Sequence, residues 1–266
     1  MRDVAALASE NFRVHATFPS GGIPGALVRE SQELTWVDSG LDTDTFNIVL
    51  GSRLGSENLA PALGEVVAHF DRVGRPFSWW VSPGDAPDDL AERLEARGLV
   101  SEEWELAMGC RLDPGLVPPP ALPGLAIERA TTPEALGEFA RINAENWSPP
   151  DALVERYYGR AASRLVDVSS PLRFYVARLE GKPVAAVEIA FGGGVLGVYS
   201  LSTRLEHRNR GIGGALLWAA VRDRARTTRA THAVLQAAPA AAGLYRRLGF
   251  AELGRIVELK PIGSVR

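Results

Sequence analysis

The sequence predicts an α/β (α+β) fold divided into two domains. In both halves of the chain, strand-like runs alternate with helix-like runs, and a proline-rich stretch separates the halves. This stretch contains Pro118-Pro119-Pro120, which favours extended backbone and cannot donate hydrogen bonds to a sheet. We therefore predict one domain over residues 1–115, a proline-rich linker over 116–123 and a second domain over 124–266.

A glycine-rich loop lies between a predicted strand and a predicted helix of the second domain. β-Branched and aromatic residues over 195–203 are typical of a buried strand, and apolar residues at helical spacing predict a helix over 211–228. A further strand over 231–236 and an alanine-rich helix over 239–248 follow. The loop itself reads Arg208-Asn209-Arg210-Gly211-Ile212-Gly213-Gly214.

This loop has the features of an anion-binding site. The first N–H groups of a helix have no partner within the helix, and the helix dipole favours negative charge beside them. Glycine at positions 211, 213 and 214 lets a phosphate approach the backbone without meeting side chains. These features together predict that the second domain holds a phosphorylated ligand.

Three segments of the second domain follow one another in a characteristic order. They are Leu201-x-Thr203, Arg208-x-x-Gly211-x-Gly213-Gly214-Ala215-Leu216-Leu217 and Leu244-Tyr245-x-x-x-Gly249-Phe250. In this order they resemble the motifs of the GNAT acyl-CoA-dependent N-acyltransferases, over about residues 124–262. The resemblance implies a mixed, mostly antiparallel twisted sheet flanked by helices, and acetyl-CoA or another acyl-CoA as the cofactor, with no metal.

The resemblance also implies an activity. It is transfer of an acyl group, most often acetyl, to a primary amine of a small molecule by direct attack in a ternary complex. Two alternatives stay open: a peptide or protein N-acetyltransferase, and a catalytically idle acyl-CoA-binding scaffold or sensor.

The first predicted domain looks like a degenerate copy of the second. It has strands over 46–50, 77–81 and 103–112 and helices over 60–73 and 87–97, in the same alternating order. At the position of the glycine loop it has Gly51-Ser52-Arg53-Leu54-Gly55-Ser56, which lacks the Arg-x-x-Gly-x-Gly pattern. We therefore expect it not to bind CoA, and to complete the substrate cleft or a dimer face.

The resemblance assigns cofactor contacts residue by residue. Backbone groups near the end of the first strand would polarise the acyl carbonyl, the loop would hold the pyrophosphate, and Tyr245 would lie near the thioester sulfur as the general acid. The family commonly has Asn seven residues before this tyrosine, where this chain has Ala238. The expected cofactor residues are Leu201, Ser202, Thr203, Arg208, Asn209, Arg210, Gly211, Ile212, Gly213, Gly214, Ala215 and Tyr245.

The general base is harder to assign. Many family members carry a Glu on the strand that leads into the loop, but this chain offers only Gly197 and Tyr199 there. Glu188, on the preceding predicted strand, is the best substitute. Strand alternation places it with Ala186 and Ala190 on a face of small residues. It is either a base or amine anchor in a pocket, or a solvent-facing side chain.

Acceptor recognition in this fold usually comes from the two helices after the first strand, predicted here over 133–146 and 151–163. Aromatic faces and carboxylates there would bind an amine. The candidate acceptor residues are Trp147, Asp151, Tyr157, Tyr158, Glu188 and Tyr199. His15, His69 and His232 lack metal-ligand spacing, so we expect structural or surface roles for them.

Composition excludes several classes of protein. A net charge of −3 gives no electrostatic reason to expect nucleic acid or an anionic membrane as a partner. Cys110 is the single cysteine, so no intrachain disulfide forms, and we expect a buried thiol. The first residues lack a secretory pattern, and no apolar run approaches the roughly 18 residues that span a bilayer. We expect a cytoplasmic monomer or homodimer.

Overall fold

A computed structural model of the protein describes residues 4–112 and 122–262. The helices are α1 Val4–Ser20, α2 Leu59–Val73, α3 Leu90–Glu95, α4 Pro133–Ala144, α5 Ala152–Leu165, α6 Ile212–Ala225 and α7 Ala242–Arg247. The strands are β1 Leu27–Glu30, β2 Thr35–Asp38, β3 Ile48–Leu50, β4 Ser78–Val81, β5 Leu99–Arg111, β6 Leu125–Ala130, β7 Leu172–Leu179, β8 Lys182–Gly192, β9 Val195–Thr203, β10 His232–Ala237 and β11 Ala251–Pro261.

The predicted α/β class is confirmed, and the described strands form one mostly antiparallel sheet flanked by helices. Their order is β1-β2-β3-β4-β11-β5-β10-β9-β8-β7-β6. Among the described pairs, β3 with β4 and β9 with β10 are parallel, one pair in each half of the chain. The repeated parallel pair supports the similarity between halves that the sequence order predicts.

The two halves exchange strands at the middle of this sheet. β5, which comes from the first half, lies between β10 and β11 of the second half and is antiparallel to both. β11 in turn pairs with β4 of the first half. The sheet is therefore continuous across the predicted domain boundary, which falls on residues outside the described part of the chain. The division into two domains stays a prediction.

Helices cover both faces of the sheet. α6 packs on one face through Ile212, Leu216 and Val221 in a core that includes Cys110, whose expected burial is confirmed. On the other face, α1, α4 and α5 share a core with side chains of β2, β3 and β6–β9. α2 and α3 pack in a third core at the β1–β4 end of the sheet. No helix of the described residues has the length and apolar character to cross a membrane.

α1 is a helix that our sequence analysis does not predict, and it packs on strands of the opposite half. Its Asn11 is fully buried, and the Asn11 amide nitrogen lies 3.1, 3.1 and 3.0 Å from the carbonyl oxygens of Ala190, Gly192 and Val195. The Tyr199 hydroxyl donates to Asn11 Oδ1 at 3.0 Å. One side chain of the first half thus donates hydrogen bonds to the backbone carbonyls around the turn between β8 and β9.

The first half closes the position that corresponds to the glycine loop. The N–H of Leu54 donates to the carbonyl of Ala86 at 3.1 Å, and the N–H of Ala86 donates to the carbonyl of Ser52 at 2.8 Å. Trp79 Nε1 donates to Ser52 Oγ at 3.1 Å. The Leu54 N–H of this loop is thus bonded within the protein and is not available to a phosphate. That this half does not bind CoA stays a prediction.

Replacing Asn11 tests the attachment of α1. In Asn11→Leu, three buried carbonyl oxygens lose their donor, and we expect the free energy of unfolding to fall by about 3 kcal/mol. Urea denaturation measures this change. Asn58→Leu is the control, because the Asn58 amide bonds the exposed Glu33 carboxylate and its loss should cost about 1 kcal/mol or less. Equal effects of the two substitutions would contradict the role of Asn11.

Asp85 provides a test by pH. Burial raises the pKa of Asp85 from 3.8 to about 7, although the Ser82 N–H bonds the carboxylate. The folded state therefore keeps a proton that the unfolded state releases, and this contribution to stability declines by about 1.4 kcal/mol per pH unit between those two pKa values. Asp85→Asn lacks this contribution. We expect its stability relative to the parent protein to rise between about pH 4 and about pH 7 in urea denaturation; a constant difference would contradict the shift.

Candidate active site

A cleft of about 620 Å³ lies at the N-terminus of α6, beside the ends of β9 and α7. It brings together most of the cofactor residues that the resemblance assigns. Those that line it are Leu201, Ser202, Thr203, Arg208, Asn209, Gly211, Ile212, Gly213, Gly214 and Tyr245. Arg210 and Ala215 are not in its lining; the Arg210 guanidinium instead lies 3.3 Å from His207 Nδ1.

The cleft forms where two parallel strands separate. β9 pairs with β10 only from Leu196 to Val198, whereas β10 stays paired with β5 along its whole length. On the other side, β9 carries a bulge, since Ala186 pairs with Ser202 but Glu188 pairs with Tyr199. Bulges leave backbone groups outside the sheet ladder. Beyond Val198, the edge of β9 that faces β10 has no partner among the described strands, and it borders the cleft.

The first turn of α6 is shaped to accept an anion. Gly211 precedes the helix with φ +78°, a left-handed conformation that favours glycine, and no side chain caps the helix. A Cβ added at Gly213 would lie 3.5 Å from Thr203 Oγ1, inside the cleft lining. The Arg208 guanidinium lies beside this turn and donates to the Thr203 carbonyl at 2.9 Å. The donors and charges therefore fit the pyrophosphate of a CoA thioester.

Tyr245 enters the same cleft from α7. Its side chain is largely buried, and its ring meets Phe250 edge-on at 6.1 Å between centroids. Burial, assisted by the charge of Glu105, raises the pKa of the Tyr245 phenol to about 12. The phenol therefore keeps its proton at neutral pH and can donate it to a leaving group in the cleft.

The expected acceptor residues lie in two separate places and do not form a single site. Trp147 and Asp151 line a second cleft of about 680 Å³ between the α4–α5 connection and the first half. Trp147 is 45% exposed, and Asp151 also caps α5 by accepting from the N–H of Leu153. Tyr157 and Tyr158 point instead into the buried face of the sheet, together with Tyr199 and Glu188.

Glu188 has no exposed surface, which excludes the solvent-facing alternative. Its Oε1 lies 2.6 Å from Nδ1 of His15, a residue of α1. Its Oε2 has no hydrogen-bond partner among the described residues. Burial and the charge of Glu188 raise the pKa values of Tyr157, Tyr158 and Tyr199. Glu188 is thus a buried carboxylate among neutral phenols.

Two asparagines of the α4 region hold the end of β9, and sequence reasoning missed both. Ser202 Oγ donates to Asn143 Oδ1 at 2.8 Å, and Asn146 Nδ2 donates to Ser202 Oγ at 2.6 Å. Asn143 is buried on an otherwise apolar helix face, and that contrast is the sequence signal that could have identified it. Asn146 also lines the first cleft, while its neighbour Trp147 lines the second. Within the described residues, no group of three or more His, Cys, Asp or Glu could hold a metal ion.

Comparison with known proteins agrees with this geometry. Residues 170–252 match the family described as "Acetyltransferase (GNAT) domain". This segment is therefore similar to the acetyltransferase domain of the GNAT family. Among curated proteins, none matches the chain.

Solved structures of similar fold extend over nearly the whole chain. A GCN5-related N-acetyltransferase from Kribbella flavida has a TM-score of 0.75 at 20% identity, covering 99% of this chain and 97% of that one. A tandem GNAT protein from the clavulanic acid biosynthesis pathway has a TM-score of 0.63 at 14% identity, with coverage of 97% and 95%. A GCN5-related N-acetyltransferase from Sphaerobacter thermophilus has a TM-score of 0.57 at 20% identity, covering 97% of this chain and 92% of that one. These likenesses show the fold and fit a tandem arrangement of GNAT-like halves.

A carboxylate placed at the start of α6 tests the anion site. In Gly213→Asp, negative charge enters the cleft beside the free N–H groups, and we expect the affinity for CoA to fall at least about 100-fold. Gly64→Asp is the matched control, since Gly64 is an exposed glycine of α2 with open space around it. Calorimetric titration measures affinity, and circular dichroism checks the fold. Unchanged CoA affinity in a folded Gly213→Asp protein would overturn the assignment of the loop.

Proposed function

We propose that this protein transfers the acetyl group of acetyl-CoA to a primary amine of a small molecule, by direct attack in a ternary complex. One observation carries the proposal: a single cleft joins the uncapped first turn of α6, the bulged end of β9 and the phenol of Tyr245. These are the parts that hold a phosphate, polarise a carbonyl and protonate a leaving thiolate. Because acyl-CoA thioesters are formed inside cells, we assign the reaction to the cytoplasm.

Each part has a defined task. The backbone from Gly211 to Gly214, with Arg208 beside it, would bind the pyrophosphate. Unpaired backbone donors at Leu201 to Thr203 would polarise the carbonyl oxygen. Acetyl-CoA supplies the activated acetyl group. Tyr245 would give its hydroxyl proton to the departing sulfur, and its raised pKa keeps that proton in place until the sulfur acquires charge.

The second cleft supports a cationic amine as the acceptor. Its lining includes the carboxylates of Asp42, Asp44, Asp71 and Asp151 beside the exposed ring of Trp147. Lys260 lies 3.1 Å from Asp44 and offsets part of this charge. Carboxylates and an aromatic face attract an alkylammonium group. A volume of about 680 Å³ is in the range of small-molecule sites, which favours a small acceptor over a protein.

Calorimetric titration with acetyl-CoA, followed by an amine panel scored by release of the free CoA thiol, tests the proposal. We expect one site per chain, because Leu54, Ala86 and Ser52 close the corresponding position in the first half. Turnover with small amines supports the proposal. Binding without turnover on any amine would favour an idle sensor, and absence of binding would overturn the proposal altogether.

Tyr245→Phe tests the proton donor. Without the hydroxyl, the leaving thiolate loses its acid, and we expect kcat to fall about 100-fold while the affinity for acetyl-CoA changes less than about 2-fold. Tyr175→Phe is the control: the Tyr175 hydroxyl donates to Asp223 at 2.7 Å and is not in the lining of the cleft, so kcat should be unchanged. An unchanged kcat in Tyr245→Phe would remove this residue as the acid.

A further inference from the structure

The buried carboxylate of Glu188 has a partner that the sequence analysis treated as structural. His15 projects from α1 and brings Nδ1 to 2.6 Å from Glu188 Oε1. The carboxylate has no exposed surface, whereas the His15 side chain is 22% exposed. A histidine of the first half and a glutamate of the second half thus form one hydrogen-bonded pair, with the imidazole on the accessible side.

Neighbouring rings fix the orientation of this imidazole. It stacks on Tyr199 with 3.9 Å between centroids and 12° between planes, and Phe12 lies stacked at 6.1 Å. A proton on Nδ1 satisfies Glu188 and leaves the lone pair of Nε2 free. Nε2 has no hydrogen-bond partner among the described residues. This is the arrangement in which a carboxylate holds a histidine ready to accept a proton.

Among the titratable groups around the histidine, Glu188 is the one that contacts its ring nitrogen. The titratable groups around the pair are Tyr157 and Tyr158 of α5 and Tyr199 of β9. Burial raises the pKa values of all these phenols, so they remain neutral near pH 7. Glu188 Oε2 is enclosed on a face of small residues and has no hydrogen-bond partner among the described residues.

The pair lies next to the strand that reaches the cleft. Glu188 is the cross-strand neighbour of Tyr199, and β9 bulges directly after Tyr199. The residues after the bulge, Leu201 to Thr203, line the cleft. Through the stacked ring of Tyr199, the His15–Glu188 pair is thus connected to the strand whose end lines the cleft.

We propose that His15 is the general base of the reaction and that Glu188 is its positioning residue. This inference rests on the proposed function. His15 Nε2 takes a proton from the ammonium group, and the freed nitrogen lone pair forms the C–N bond to the thioester carbonyl carbon. The C–S bond breaks with its electron pair on sulfur, which takes the hydroxyl proton of Tyr245. The second nitrogen proton returns to Tyr245 through solvent, and His15 releases its proton to solvent.

Two small amines separate this role from a structural one. Ethylamine is protonated near neutral pH and needs a base, whereas hydroxylamine is already neutral. In His15→Gln, an amide can still bond Glu188, and we expect the rate with ethylamine to fall about 100-fold near pH 7 while the rate with hydroxylamine changes less than about 2-fold. Glu188→Gln should lower the rate with ethylamine about 10-fold and, like His15→Gln, should leave the rate with hydroxylamine nearly unchanged. Thiol release from acetyl-CoA measures both rates.

His69→Gln is the matched control. His69 forms a similar pair with Asp38, Nε2 to Oδ2 at 2.8 Å, on the first half. The His69→Gln substitution should leave the rates with ethylamine and hydroxylamine unchanged. Equal loss of both rates in His15→Gln would show a structural effect and overturn the inference, and so would two unchanged rates. Failure of acetyl-CoA to bind the parent protein would instead overturn the proposed function.

A second measurement needs no acceptor. Long-range ¹⁵N–¹H NMR of imidazole-labelled protein reads the tautomer and charge of His15, with His15→Gln to assign the signal. The inference requires a neutral imidazole with its proton on Nδ1 above about pH 7, and loss of that tautomer preference in Glu188→Gln. An imidazole that stays charged to about pH 9 could not take a proton from the amine and would overturn the inference.

Discussion

The insertion of β5 between β10 and β11 is the constraint on which the rest of the structure depends. Each position of β10 from His232 to Ala237 has a partner on β5. Because β5 satisfies β10 along its length, β9 can leave β10 after Val198 without exposing all the backbone groups of β10. The opening between β9 and β10 then becomes the cleft that Tyr245 and the glycine loop line. A strand of the first half therefore stabilises the site of the second.

The same topology gives different outcomes in the two halves. In each half a helix connects two parallel strands: α2 connects β3 to β4, and α6 connects β9 to β10. In the first half, the N–H groups of Arg53 and Leu54 in the corresponding loop donate to the carbonyls of Glu33 and Ala86. In the second half, Gly211 turns the backbone at φ +78° and leaves the start of α6 uncapped. The difference lies in which groups the loop amides bond, and the fold is common to both halves.

Sequence patterns predicted the local parts of this arrangement well. β9, α6 and β10 lie close to their expected bounds, because alternation and helical spacing are properties of neighbouring residues. The alanine-rich helix is shorter than expected, since Pro239 to Ala241 form a turn before α7. α1 was missed, although Ala5, Phe12 and Ala16 share its buried face. The partners of Asn11 lie about 180 residues away, and spacing along the chain carries no signal at that distance.

In the candidate site, too, residues defined by a local motif could be predicted from the sequence, whereas residues defined by long-range contacts could not. The glycine loop and Tyr245 could be predicted from the sequence, because each belongs to one segment with its own motif. The role of His15 could not be predicted in this way, because an isolated histidine on a helix can have many roles. Its partner Glu188 lies 173 positions away in the sequence. Once α1 is attached to β8 and β9 through Asn11, His15 is one helical turn further along the same helix and faces Glu188. The Asn11 contact that fixes the first half to the second thus also orients the proposed base.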